Sequence, residues 1–113
     1  MIKIKRIYEV RSAGDGYRIL VDRLWPRGMK KETADINLWM KEIAPSSELR
    51  KWFNHDPEKW KSFLTKYKTE LEHSTPFEEL KSLIEKHKVI TLLYGSRDEQ
   101  FNQAVALKTF LPK

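Results

Sequence analysis

Val89-Ile90-Thr91-Leu92-Leu93-Tyr94 is the stretch on which the fold turns. It is an essentially apolar run, too short for most helices, and rich in β-branched and aromatic residues, as expected of a central parallel strand covered on both faces. On its amino-terminal side, Thr75-Pro76-Phe77-Glu78 has the form of a capping box, and Phe77, Leu80, Leu83 and Ile84 carry a helical stripe to about His87. On the other side Gly95-Ser96-Arg97-Asp98 breaks the strand. Ser96 with Glu99 repeats the capping-box spacing, and Phe101, Ala104, Val105, Leu107 and Leu111 predict a last helix ending at Pro112. Helix, buried strand, helix is the grammar of an α/β domain.

Working outward, residues 2 to 8 alternate Ile2 and Ile4 with Lys3 and Lys5, the period of a strand with one wet face near a sheet edge. Ala13-Gly14-Asp15-Gly16 carries turn chemistry, and Tyr17 to Asp22 reads as a second, buried strand with Asp22 at its carboxyl end. Pro26 and Gly28 then forbid a regular element and leave Trp25, Arg23 and Arg27 on a loop. Ile36, Leu38 and Met40 suggest a third strand, although a short helix also fits. Ser46 caps a helix bearing Leu49, Trp52 and Phe53. Asp56-Pro57 opens another, with Trp60, Phe63, Leu64, Tyr67 and Leu71 on its inner face. The expectation is a single α/β domain over residues 1–113: a small Rossmann-like, mostly parallel sheet of about four strands flanked by helices.

The chain has 113 residues and no Cys, which excludes disulfides and thiolate chemistry. No apolar run approaches membrane length, and the first residues alternate charge where a leader would be apolar, so a cytoplasmic, non-membrane protein is expected. Glycine-rich phosphate loops, nucleophile elbows and helix-borne His pairs are absent; His55, His73 and His87 stand apart, so no metal and no cofactor is expected. The net charge of +6 favours anionic partners. Lysines on solvated helix faces explain much of that excess. Six of the seven Arg, however, lie at Arg6, Arg11, Arg18, Arg23, Arg27 and Arg50, which hints at an anion-facing side.

Ligands of open α/β sheets bind beyond the carboxyl ends of the strands. If the strands ending at Asp22 and Tyr94 are parallel neighbours, Asp22, Arg23, Trp25 and Arg27 form one lip of a pocket, and Tyr94, Ser96 and the N–H groups opening the last helix form the other. Ser46, Arg50 and Asn102 join as further polar contacts, and Asp22 or His55 is the only plausible base. The competing reading is an internal ion pair between Asp22 and one Arg, clamping the Trp25-Pro26 loop.

Asp22-Arg23-Leu24-Trp25-Pro26-Arg27-Gly28 resembles the signature of the YeaO-like family, group 488 of the domains of unknown function. Ala44-Pro45-Ser46 with Leu49-Arg50, Trp52-Phe53, Phe63, Tyr67, Thr91-Leu92-Leu93-Tyr94, Asn102 and Ala104 extend the resemblance along nearly the whole chain. It implies an α/β fold and no established activity. Relatives often carry Asn-His-Ala in the last helix, and this chain has Asn102-Gln103-Ala104, so a proton-transferring His is missing there. Two functions are therefore expected in order. The first is binding of a small anionic metabolite or nucleotide, with hydrolase or transferase activity as its catalytic variant. The second is a non-catalytic nucleic-acid-binding or regulatory interaction module.

Overall fold

The computed structural model describes residues 1–112. Four strands, β1 (Ile2–Arg6), β2 (Tyr17–Leu20), β3 (Leu38–Trp39) and β4 (Ile90–Tyr94), form one sheet in the order β1-β4-β2-β3. Every pairing is parallel. β4, whose five residues are all buried, lies between β1 and β2, and β1 is an edge. The register sets Ile4 and Ile19 on either side of Leu92.

Alternation along the strands feeds two unequal cores. Ile19, Val21, Leu92 and Tyr94 face helices α2 (Ser47–Phe53), α3 (Trp60–Leu71), α4 (Thr75–Lys86) and α5 (Gln103–Phe110), meeting Leu49, Phe53, Phe63, Tyr67, Leu80 and Leu107. The other face carries Ile7, Leu20 and Leu93, packed with Ala34 and covered by Trp25, Met29, Ile36 and Trp39. Its cover is irregular chain plus one helical turn, α1 (Lys31–Ala34). That turn falls in a stretch whose Gly28-to-Asp35 sequence reads as loop.

The caps explain most boundaries. Ser46 accepts from Leu49 N–H, and Asp56 accepts from Glu58 N–H ahead of Pro57, both as the sequence predicts. Pro57 to Lys59 form a 3-10 turn that runs into α3. The cap of α4 is Ser74, one residue before the predicted Thr75, because Ser74 Oγ takes the Phe77 N–H. The start of α5 needs a larger correction. Asp98 Oδ1 accepts from Gln100 and Phe101 N–H at 3.0 Å each, and Ser96 Oγ accepts from Asp98 N–H at 3.1 Å. These local turns outcompete a helix over residues 96–101. The helix begins only at Gln103, capped by Asn102. β3 is likewise shorter than its alternation suggests, since after Met40, whose N–H still reaches Leu20 O, the backbone coils into a 3-10 turn at Lys41–Ile43.

Gly16 joins the first turn to β2 with φ +66, and a Cβ there would overlap Val89 O. Gly16→Ala therefore combines left-handed strain with a backbone clash and is expected to cost about 2–3 kcal/mol in urea unfolding. A loss under about 0.5 kcal/mol would contradict the tight β2–β4 entry.

Candidate functional site

The carboxyl ends of β2 and β4 are adjacent because the two strands pair in parallel. Asp22 follows β2 into this gap. Its Oδ2 accepts the Gly95 N–H at 2.8 Å, and its Oδ1 accepts from the Gln103 side-chain amide. Its own carbonyl accepts the Trp39 indole N–H at 2.7 Å. One residue thus ties together the end of β2, the turn after β4, the first residue of α5 and β3. A Cβ on Gly95 would lie 2.9 Å from Asp22 Oδ2 and 3.7 Å from Pro26 Cβ, so the glycine is what lets the carboxylate approach.

The electrostatics of Asp22 are unusual. Burial pushes its carboxyl up from 3.8 to about 6, against the opposing pull of the Gly95 N–H, the positive charge of Arg50 and the Gln103 amide. Among the described residues no Lys or Arg forms an ion pair with it, so the predicted Asp22–Arg clamp is not what holds the Trp25-Pro26 loop. That loop is held instead by Trp25 Nε1 donating to Met29 O at 2.5 Å and by an edge-to-face contact of Trp25 with Trp39 at 5.3 Å.

Three guanidiniums share one task. Arg6 donates to the carbonyls of Ser96 and Gly95, Arg18 to those of Asp35 and Ala34, and Arg23 to those of Ala44 and Pro45. Each guanidinium spans two successive carbonyls in irregular chain or at the end of α1, groups for which the sheet supplies no donor. Arg11 pairs with Asp35 at 2.6 Å on the surface. Half of the Arg in the first fifty residues is therefore internal stitching. Three guanidiniums remain free of hydrogen bonds and ion pairs among the described residues, those of Arg27, Arg50 and Arg97, all exposed. Arg23 keeps a further donor, its Nε, which is buried without an acceptor.

The other predicted site residues divide. Ser46 caps α2 and binds Glu70 through its N–H and hydroxyl. Asn102 is a buried cap whose Oδ1 accepts from Val105 N–H at 3.0 Å. Ser96 Oγ is engaged in its own turn. Tyr94 is buried under the crevice, and burial, with Glu99 next in weight, pushes its phenol up. His55 is an exposed residue at φ 56, following Asn54 at φ 47, in the turn after α2. No hydrogen bond, ion pair or ring contact brings it to Asp22 among the described residues. The anion-binding N–H groups expected at the start of α5 are partly occupied by the chain itself, through Asp98 and Asn102. Two depressions lie elsewhere. One of about 400 Å³ at the opposite, amino ends of β2 and β4 is lined by Gly16, Tyr17, Asn37, His87, Lys88 and Val89, and one of about 300 Å³ lies among α3, α4 and α5.

Sequence reasoning did not foresee Gln103, Trp39 or Gly95 as the partners of Asp22. Gln103 alone carried a signal, as the point of departure from the Asn-His-Ala pattern, and it is that position whose side chain touches Asp22. The model of the inactive DUF488-N3 subclade matches residues 1–113. The chain belongs to the DUF488 family. The uncharacterized protein YeaO of Escherichia coli (strain K12) is 41% identical to it over 111 residues, covering 97% of this chain and 96% of YeaO. An uncharacterized protein of Mycobacterium tuberculosis (strain ATCC 25618 / H37Rv) is 36% identical over 110 residues, covering 97% of this chain and 92% of its own length. No solved structure matches this DUF488 chain.

Proposed function

We propose that this DUF488 domain binds a small anion, a phosphorylated or carboxylated metabolite or a nucleotide, where β2 and β4 end, and does not turn it over. One observation carries the reading: two guanidiniums, that of Arg23 next to Asp22 in the chain and that of Arg50, whose charge acts on Asp22, have donor capacity to spare. The Arg23 Nε is buried without an acceptor, and Arg50 has no hydrogen bond or ion pair among the described residues. A buried unpaired donor costs free energy until an acceptor arrives, and paired guanidiniums suit carboxylate and phosphate oxygens. Absence of turnover is supported by Gln103, whose amide cannot exchange a proton with Asp22 at ordinary pH, and by the family model's description as inactive.

Thermal unfolding with sulfate, and separately with adenosine monophosphate, tests the reading. At ten times the dissociation constant a specific anion raises the midpoint by roughly 5 °C for a domain of this size. Sulfate also stabilises proteins without binding. The deciding quantity is therefore the difference between the native chain and Arg50→Ala, which should lose most of the increment. Equal shifts in both proteins for both anions would remove the crevice from consideration.

A further inference from the structure

We propose that anion binding in this crevice is coupled to protonation of Asp22: the neutral carboxyl admits the anion, and the carboxylate repels it. The inference rests on the anion-binding reading and adds its regulation. Asp22 sits in the gap that an anion held by Arg23 and Arg50 would enter, and its two oxygens are already fixed by Gly95 N–H and the Gln103 amide. It cannot swing aside without releasing both bonds.

The groups packed around it offer little compensation. From α2 comes Arg50, the one opposing charge felt by the carboxyl. From α5 comes the uncharged Gln103, from the turn after β4 a backbone N–H, from β3 the indole of Trp39, and from its own loop Pro26. Arg23, next in sequence, has its NH2 committed to the carbonyls of Ala44 and Pro45. A bound anion would draw the field of Arg50 to itself and place a like charge beside Asp22, so the crevice holds one negative charge comfortably and two at a cost. With an ionisation midpoint of about 6, the neutral fraction of Asp22 changes steeply through the neutral range.

Sulfate is the suitable probe, because its own charge is constant between about pH 5 and pH 8. Isothermal titration of sulfate into the native chain and into Asp22→Asn, at fixed ionic strength, gives the outcome directly. The native affinity should fall on the order of 50-fold from about pH 5 to pH 8, following the competent fraction, and Asp22→Asn should stay within about threefold of the native low-pH value throughout. Saturable binding with a flat profile in the native chain overturns the coupling and leaves the anion site standing. A parallel decline in both proteins assigns the pH dependence to other groups and also overturns it. No saturable sulfate binding in either protein at any pH overturns both the coupling and the site.

Discussion

Arg18→Met is expected to cost about 3–5 kcal/mol in urea or thermal unfolding, the largest loss of any single replacement considered for this chain. Arg18 sits in β2 with 2% of its surface exposed. Its guanidinium meets Asp15 Oδ2 at 2.5 Å, Asp35 O at 2.8 Å and Ala34 O at 3.0 Å. Asp15, itself buried, also takes Lys5 at 3.1 Å and the Ser12 N–H and hydroxyl. Burial pushes the Asp15 carboxyl up, but the Ser12 backbone, Lys5, the Ser12 hydroxyl and Arg18 outweigh it and hold the group well below the usual carboxylate range. Met matches the stem of Arg18 but leaves two buried carbonyls and part of a carboxylate unpaired. Adding Asp15→Asn to Arg18→Met should recover part of the loss, since it removes the stranded charge. A single-mutant loss below about 1 kcal/mol would mean that water reaches the cluster and the burial described above is wrong.

Asp22→Asn should act in the opposite direction and raise stability by about 3 kcal/mol at pH 8. A folded-state rise from 3.8 to about 6 means that the folded protein holds the Asp22 proton more tightly than the unfolded chain does. Stability from this group therefore falls as pH climbs through that window, and the full cost is present above it. Asparagine removes the charge and keeps the shape. Its Oδ1 still accepts from Gly95, and a flipped Gln103 amide can accept from its Nδ2. The advantage of the variant should shrink to about 1 kcal/mol at pH 4.5, where the native carboxyl is neutral when folded. Urea midpoints of the two proteins at the two pH values decide the matter, and parallel pH profiles would show that Asp22 ionises without penalty. A residue that lowers stability at neutral pH and is nonetheless placed with both oxygens fixed is a sound place to look for function.

The parts of the fold that were legible in the sequence are those where one physical pattern dominates. β4 is a bare apolar run, and the inner face of α3 repeats Phe63, Tyr67 and Leu71 at helical spacing; both stand where they were expected. Burial on both faces marks β2 and β4 as inner strands but does not say which strands are neighbours; the adjacency of their ends is only a condition in the sequence, and the pairing of β2 with β4 meets it. The start of α5 was misplaced because Ser96 and Glu99 have capping-box spacing, whereas Asp98 offers the backbone a nearer partner. The Arg residues were the hardest to read. A guanidinium that grips a metabolite and one that grips two loop carbonyls look the same in a sequence, and only the position of Ala34, Ala44 and Ser96 around them separates the two uses.

The order of strands in the sheet bears on how the protein is born. β1 and β2 are not paired with each other; each pairs with β4 (Ile90–Tyr94), which comes last of the four strands in the sequence. A ribosome that has released only the first two strands and their helices holds a sheet with its middle missing. Collapse into the native arrangement has to wait until β4 has been made, and until then the edges of β1 and β2 stay open to chaperones and to wrong pairings.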